Sequence, residues 1–192
     1  MKTLIINGSP KKHGDTDALV REFCKHLRGE VMVVSIEDGI APCCDCRVCW
    51  THAGCAVQDK MQAVYPFLQT CDTIVLASPI WFSSLSGVLL NICSRIQTLW
   101  AAGYFRKEDL CMRPKEGVII MVGAQEGTEV IPTQNALTIM RYMNVRREGV
   151  EMIYSLDTNN VPAHEDESAL ARCRAVAEGL NAKAASAADA LA

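Results

Sequence analysis

Short apolar runs alternate with amphipathic stretches along the whole chain. Leu4–Ile6, Val31–Ile36, Asp72–Ala77, Gly117–Val122 and Val150–Leu156 are brief and apolar at consecutive positions. That pattern predicts strands buried on both faces, not strands with one wet side. A helix is predicted from about Asp15-Thr16, with Leu19/Val20, Phe23/Cys24 and Leu27 recurring every three to four residues and Gly29 at the stop. Further helices are expected over Asp59–Leu68, Ser84–Ala102, Pro132–Met143 and about His164–Leu191. In the second of these, Leu85, Leu89, Ile92/Cys93, Ile96 and Leu99/Trp100 share one face; in the last, Leu170, Cys173, Val176 and Leu180 point inward. Apolar strands separated by helices imply an α/β domain, a doubly wound five-stranded parallel sheet with helices on both faces. No second domain, repeat or low-complexity linker interrupts it, so residues 1–192 read as a single domain with an excursion at about 37–57.

In such sheets ligands bind beyond the carboxyl ends of the strands. Three loops qualify: Gly8–Thr16, Ser78–Gly87 and Gly123–Thr128. The first, GSPKKHGDT, joins a strand to a helix start and carries hydroxyls, two lysines and glycines that permit close backbone approach. Unpaired amides and the helix dipole make that geometry suited to a phosphate. It is neither a Walker loop nor the GxGxxG dinucleotide fingerprint, and an ordinary βα turn capped by Asp15 or Thr16 is the plain alternative.

A net charge of −3 gives no reason to expect nucleic acid or an anionic membrane surface. No apolar run approaches the roughly 20 residues of a membrane span, and no basic segment precedes a signal-like stretch, so the expectation is a soluble cytoplasmic protein. The ten cysteines change the picture more. Cys24, Cys71, Cys93, Cys111 and Cys173 sit among apolar or helical neighbours, where thiols serve as small core residues. Cys43, Cys44, Cys46, Cys49 and Cys55 crowd into thirteen positions. Cys43-x2-Cys46-x2-Cys49-x5-Cys55 has ligand spacing for a [4Fe–4S] cluster, with Cys44 left over. Zinc, with His52 nearby, and free or disulfide-linked thiols are the alternatives.

GSPKKHGDT resembles the Gly-Ser-Pro-(basic)-x-x-Gly-Asn-Thr signature of flavodoxin-like NADPH-dependent FMN reductases and iron–sulfur flavoproteins. The resemblance continues through Pro42–Trp50, Gly54-Cys55, Asp59–Met61, Ser78–Phe82 and Ser86-Gly87, so it covers at least the first half of the chain. It implies a sheet of order 2-1-3-4-5. It also implies FMN, its phosphate held by Ser9, Lys11, Thr16 and the backbone around Gly14 and Asp15. Ser78, Pro79, Ile80, Trp81 and Phe82 would line the flavin ring, with Gly123 opening the third loop; core packing is the rival role for the two aromatics. NAD(P)H would be the co-substrate, and the acceptor a cluster on Cys43, Cys46, Cys49 and Cys55, a quinone, a free flavin, another small molecule or a redox protein. The family also implies a homodimer or homotetramer. Two departures stand out. Asp15 replaces the usual Asn beside the phosphate, and Leu89–Arg95 lacks the Lys and Asp of the family's Leu-Lys-x-x-x-Asp-Arg.

Two rivals are a ferredoxin-linked electron-transfer protein without NAD(P)H activity, and a non-enzymatic redox- or metal-sensing module. His13, His26, His52 and His164 form no catalytic pairing, and Arg141, Arg146 and Arg147 read as a solvated helix end.

Overall fold

The apolar runs become parallel strands whose consecutive residues feed two different cores. In the computed structural model, which describes residues 1–110 and 112–189, the chain runs β1 (Lys2–Asn7), α1 (Asp15–His26), β2 (Glu30–Val34), a 3-10 turn (Ile36–Asp38), α2 (Val48–Thr51) and α3 (Met61–Thr70). It continues as β3 (Thr73–Trp81), β4 (Ser84–Leu85), α4 (Gly87–Ser94), α5 (Gln97–Tyr104), β5 (Glu116–Val122), α6 (Val130–Arg141), β6 (Glu151–Ser155) and α7 (Glu167–Asp189). Cys111 and the end of the final predicted helix lie outside the described residues.

The parallel strands are ordered β2-β1-β3-β5-β6, which is the expected 2-1-3-4-5 once the short antiparallel β4 is set aside. Ile5 sits between Val33 and Val75, and Val75 between Ile5 and Val118. Side chains alternate across this register. Ile5, Val75, Val118, Ile120 and Ile153 pack under α1 and α7, against Leu19, Phe23, Cys173 and Val176. Leu4, Ile6, Ile74, Leu76, Ile119 and Met121 pack on the other face, against Met61, Val64, Leu89, Ile92 and Met140. Cys71, Cys93 and Cys173 are buried, and burial pushes their thiols up to about 11, 12 and 12, so they stay neutral. Among the described residues no helix is long and apolar enough to cross a membrane.

Two elements differ from the sequence pattern. The apolar run at Asp72–Ala77 continues as strand through Ser78-Pro79 to Trp81, then folds back on β4 through Phe82-Ser83. The single helix expected over Ser84–Ala102 is instead β4, α4 and α5. Ser86 starts α4 by accepting the amide of Leu89, and no residue before it is helical. The break after Ser94 is a tightening: Arg95 N reaches Ile92 O at 3.2 Å and Ile96 N reaches Cys93 O at 3.0 Å, three-residue spacings that turn the axis. Hydrophobic spacing alone does not register such a turn, because both halves face the same core.

Candidate functional site

The first loop is pinned at Gly8, whose amide donates to Ala77 O at 2.8 Å. A Cβ here would lie 2.5 Å from Leu89 Cβ and 2.9 Å from Ser86 Oγ, so only glycine fits. Beyond it the loop is held by its own side chains. Ser9 Oγ donates to Lys11 O at 2.8 Å and accepts Lys11 N at 3.3 Å, while Asn7 Oδ1 accepts Ser9 N at 3.0 Å. Ser9 and Thr16 are both buried, and Lys11 is exposed. Helix α1 begins at Asp15 with Gly14 at its N-cap, and no side chain caps it. Asp15 turns away and accepts the amide of Ala163 at 2.9 Å, so it neither caps the helix nor lies free beside the loop. Asp17 accepts from His13 N at 3.1 Å and from Asn7 Nδ2 at 3.3 Å, and pairs with Arg21 at 3.3 Å. Both first-turn carboxylates are therefore committed to protein donors.

The second loop is welded to the first. Ser78 Oγ accepts Ser86 N at 2.9 Å, and Ser86 Oγ donates to Gly8 O at 2.7 Å. Above this link the β3–β4 hairpin turns through Phe82 and Ser83, with φ of 51° and 52°. Two consecutive left-handed residues suit a tight hairpin but are costly for a bulky side chain, and strain of this kind concentrates at working sites. Phe82 is 105% exposed and Trp81 47% exposed, so neither serves as core packing. Ile80 reaches the third loop: a Cβ on Gly123 would come 3.3 Å from Ile80 Cδ1. Gly123 N donates to Ser155 O at 2.9 Å, and Gly123 O accepts Thr158 N and Oγ1, each at 3.0 Å. The three loops thus meet at the carboxyl end of the sheet's interior strands β1, β3 and β5.

The cysteine loop forms a second feature. Cys43, Cys46, Cys49 and Cys55, together with Cys44, line one cavity of about 400 Å³ over the junction of α4 and α5. Cys43 N donates to Ser94 Oγ at 2.8 Å. Gln62 Nε2 donates to Cys55 O and Val57 O at 2.9 and 2.7 Å, and Arg106 donates to Cys49 O. Trp50 stacks on Phe105 with ring centroids 4.2 Å apart. Burial, with Cys55, Cys43 and Cys46 close by, pushes the Cys49 thiol up. Among the described residues, no three Cys, His, Asp or Glu side chains stand together as a ready-made site for a single metal ion.

Beneath this cavity lies Arg95, only 1% exposed. Its Nη1 donates to Ala41 O at 2.9 Å and Asp59 Oδ2 at 2.6 Å, and its Nη2 to Val57 O at 3.0 Å. Burial works against the Asp59 charge, but the bonds from Arg95, Met61 N and Ala41 N outweigh it and hold the carboxyl below its usual range. Arg95, Ser86 and Asp17 were not among the expected site residues. A charged residue inside the apolar face Ile92, Cys93, Ile96 was the available signal for Arg95, and the Ser86-Gly87 pair of the family resemblance was the signal for Ser86; Asp17 left none.

Helix α4 joins the two features. Ser86 at its start holds Gly8, and Ser94 at its end holds Cys43. Eight residues of helix separate these ends by about 12 Å.

A doubly wound sheet with a non-Walker phosphate-type loop, exposed aromatics beside it and a cysteine-lined cavity defines a flavodoxin-like redox domain. Comparison with known proteins assigns it further: residues 1–150 match the model for NADPH-dependent FMN reductase, and the chain belongs to that oxidoreductase family. An iron-sulfur flavoprotein of Archaeoglobus fulgidus is 31% identical over 138 residues, 69% of this chain and 68% of that one. One of Methanocaldococcus jannaschii is 29% identical over 128 residues, and the match spans 65% of this chain and 63% of the relative's length. Among solved structures, an NAD(P)H:quinone oxidoreductase from Methanothermobacter marburgensis superposes with a TM-score of 0.68 at 15% identity, covering 94% of this chain and 98% of that one.

Proposed function

We propose that this chain is an FMN-dependent oxidoreductase that passes electrons from NAD(P)H through bound FMN to an acceptor. The observation that carries the reading is the Gly8–Ser86–Ser78 link, which ties the loop leading into an uncapped helix start to the strand that carries two exposed aromatic rings. The residues present fit the cofactor. The start of α1, Lys11 and the hydroxyl of Thr16 would take the phosphate, whose charge the helix dipole favours, while Ser9, bonded to Lys11 through its hydroxyl, would shape the loop around it. Trp81, Phe82 and the backbone of Ser78–Ile80 offer a flat apolar surface for the ring, with Gly123 leaving room at its far side. FMN, when bound, supplies hydride acceptance and onward electron delivery. The chain's own part is to bind, orient and shield. The ties of Asp15 to Ala163 and of Asp17 to His13 keep two carboxylates from opposing the phosphate. No side chain is assigned as general acid or base.

Cys43, Cys46, Cys49 and Cys55 would hold a [4Fe–4S] cluster, the acceptor best supported here. The compact spacing, the shared cavity and the iron-sulfur flavoproteins among the relatives support it. Iron ligation is what makes a crowded group of thiols stable as thiolates. The cluster, when bound, supplies one-electron acceptance. A quinone, a free flavin or another small molecule remains the acceptor in a cluster-free form. Zinc predicts a colourless metal site in the same cavity.

A groove of about 600 Å³ between α4, α5 and α6, lined by Leu90, Trp100, Ile139 and Tyr142, supports assembly as a homodimer or homotetramer. Light scattering on the eluted protein tests that. The function is tested by NADH and NADPH oxidation on FMN-loaded protein. Turnover with a quinone or free flavin is expected; reduction by ferredoxin alone favours the electron-transfer reading, and failure to take up FMN favours the sensing module.

A further inference from the structure

Arg95 carries more nitrogen than its visible partners use. Three N–H bonds from its two terminal nitrogens go to Ala41 O, Val57 O and Asp59 Oδ2, but Nε is buried without any hydrogen-bond partner. Buried polar atoms in folded proteins are almost always paired, so an unpaired one on a cation marks a missing acceptor. An ion pair with Asp59 alone would not require it. The guanidinium lines the same cavity as Cys43, Cys46, Cys49 and Cys55. Its satisfied nitrogens grip Ala41, two residues before Cys43, and Val57, two residues after Cys55. Both ends of the cysteine loop are therefore fastened to one planar group, and of its five N–H donors these bonds leave two over, Nε–H and one on Nη2.

We infer that Arg95 is the positioning residue of the four-cysteine site, with its Nε–H kept for a sulfur of the group those cysteines hold. The inference rests on the cluster reading above and adds a residue outside the cysteine motif. Two consequences follow. Because Asp59 balances the Arg95 charge, the effect runs through the N–H donor, which beside the sulfurs favours the more negative, reduced form of the centre and raises its reduction potential. Lysine retains the charge but is a compact ammonium without the planar fork, so it cannot reach the same three acceptors and still present Nε.

The test uses the full chain reconstituted anaerobically with ferrous iron and sulfide, in wild type, Arg95→Lys and Arg95→Gln, with FMN uptake reporting that each variant has folded. Wild type is expected to take up about four irons per chain. Arg95→Gln is expected to hold less iron, and what remains should be at least tenfold harder to reduce, equal to 59 mV for one electron. Arg95→Lys should fall between. Protein labelled with nitrogen-15 arginine should also show, in pulsed EPR of the reduced centre, a coupling to a guanidinium nitrogen that persists in Arg47→Lys and Arg106→Lys, the other two arginines at this cavity and its cysteine loop; this decides the matter should the Arg95 variants not fold. If wild type takes up no iron, the cluster reading falls and this inference with it. If wild type takes up iron, but the variants match its potential or the labelled sample shows no coupling, Arg95 has no such role and the cluster reading stands.

Discussion

Ser86 Oγ donates to Gly8 O at 2.7 Å, joining residues 78 apart in sequence, and the same oxygen accepts Leu89 N at 3.1 Å. One hydroxyl thus starts a helix and fixes the first loop to the second. Ser86→Ala removes a helix cap and leaves a buried carbonyl without its donor. The expected loss is about 1–3 kcal/mol of stability, read by urea unfolding, with weaker FMN binding. Unaltered FMN affinity would mean that the link does not shape the flavin site.

The turn at Phe82-Ser83 has two left-handed residues that are neither glycine nor asparagine. Replacing the pair by Asn-Gly relieves strain and should stabilise the fold by about 1 kcal/mol or more. The same change removes an exposed ring, so FMN should bind less tightly. A gain in stability with undiminished FMN affinity would remove Phe82 from the site.

Ser9→Ala and Thr16→Ala should each weaken FMN binding by about 1 kcal/mol or more, measured by flavin fluorescence titration. Ser9 is expected to act through loop shape, since its hydroxyl is bonded to Lys11 at both donor and acceptor positions. Its alanine variant should therefore lose stability as well as affinity.

Glu22 ties α1 to α7 through Arg174 at 3.2 Å, and also meets Lys25 at 2.9 Å and His26 at 3.3 Å. Hydrogen bonding from Lys25, then from Arg174 and His26, outweighs burial and lowers the carboxyl from the usual 4.5 to about 2. A depressed carboxyl stabilises the fold above its unfolded value, and that contribution disappears as pH falls through the folded one. Stability should therefore decline between about pH 4.5 and pH 2. In Glu22→Gln that part of the acid transition should flatten, as thermal unfolding across this range would reveal.

The strands, their parallel arrangement and the inward faces of α1 and α7 were legible in the sequence, because apolar periodicity reports burial directly; the order 2-1-3-4-5 was implied by the family resemblance alone. The cysteine loop was legible as spacing. The split of Ser84–Ala102 was not, since α4 and α5 keep one apolar face through the turn at Arg95. Nor was the hairpin, whose Phe82-Ser83 turn lacks the Gly, Asn or Asp that left-handed hairpin positions favour. Asp15, out of place beside a phosphate on sequence grounds, is accounted for by an amide 148 residues away. Contacts of that range are written in no local pattern.

The central claim is that the Gly8–Thr16 and Ser78–Phe82 loops hold FMN. Titration of the purified wild-type chain into free FMN, followed by flavin fluorescence and then gel filtration, tests it most directly. A quenched, saturable signal and a yellow protein carrying a single FMN per chain is the predicted result. Flavin fluorescence that stays unquenched at excess protein, with colourless protein eluting from the column, would contradict it.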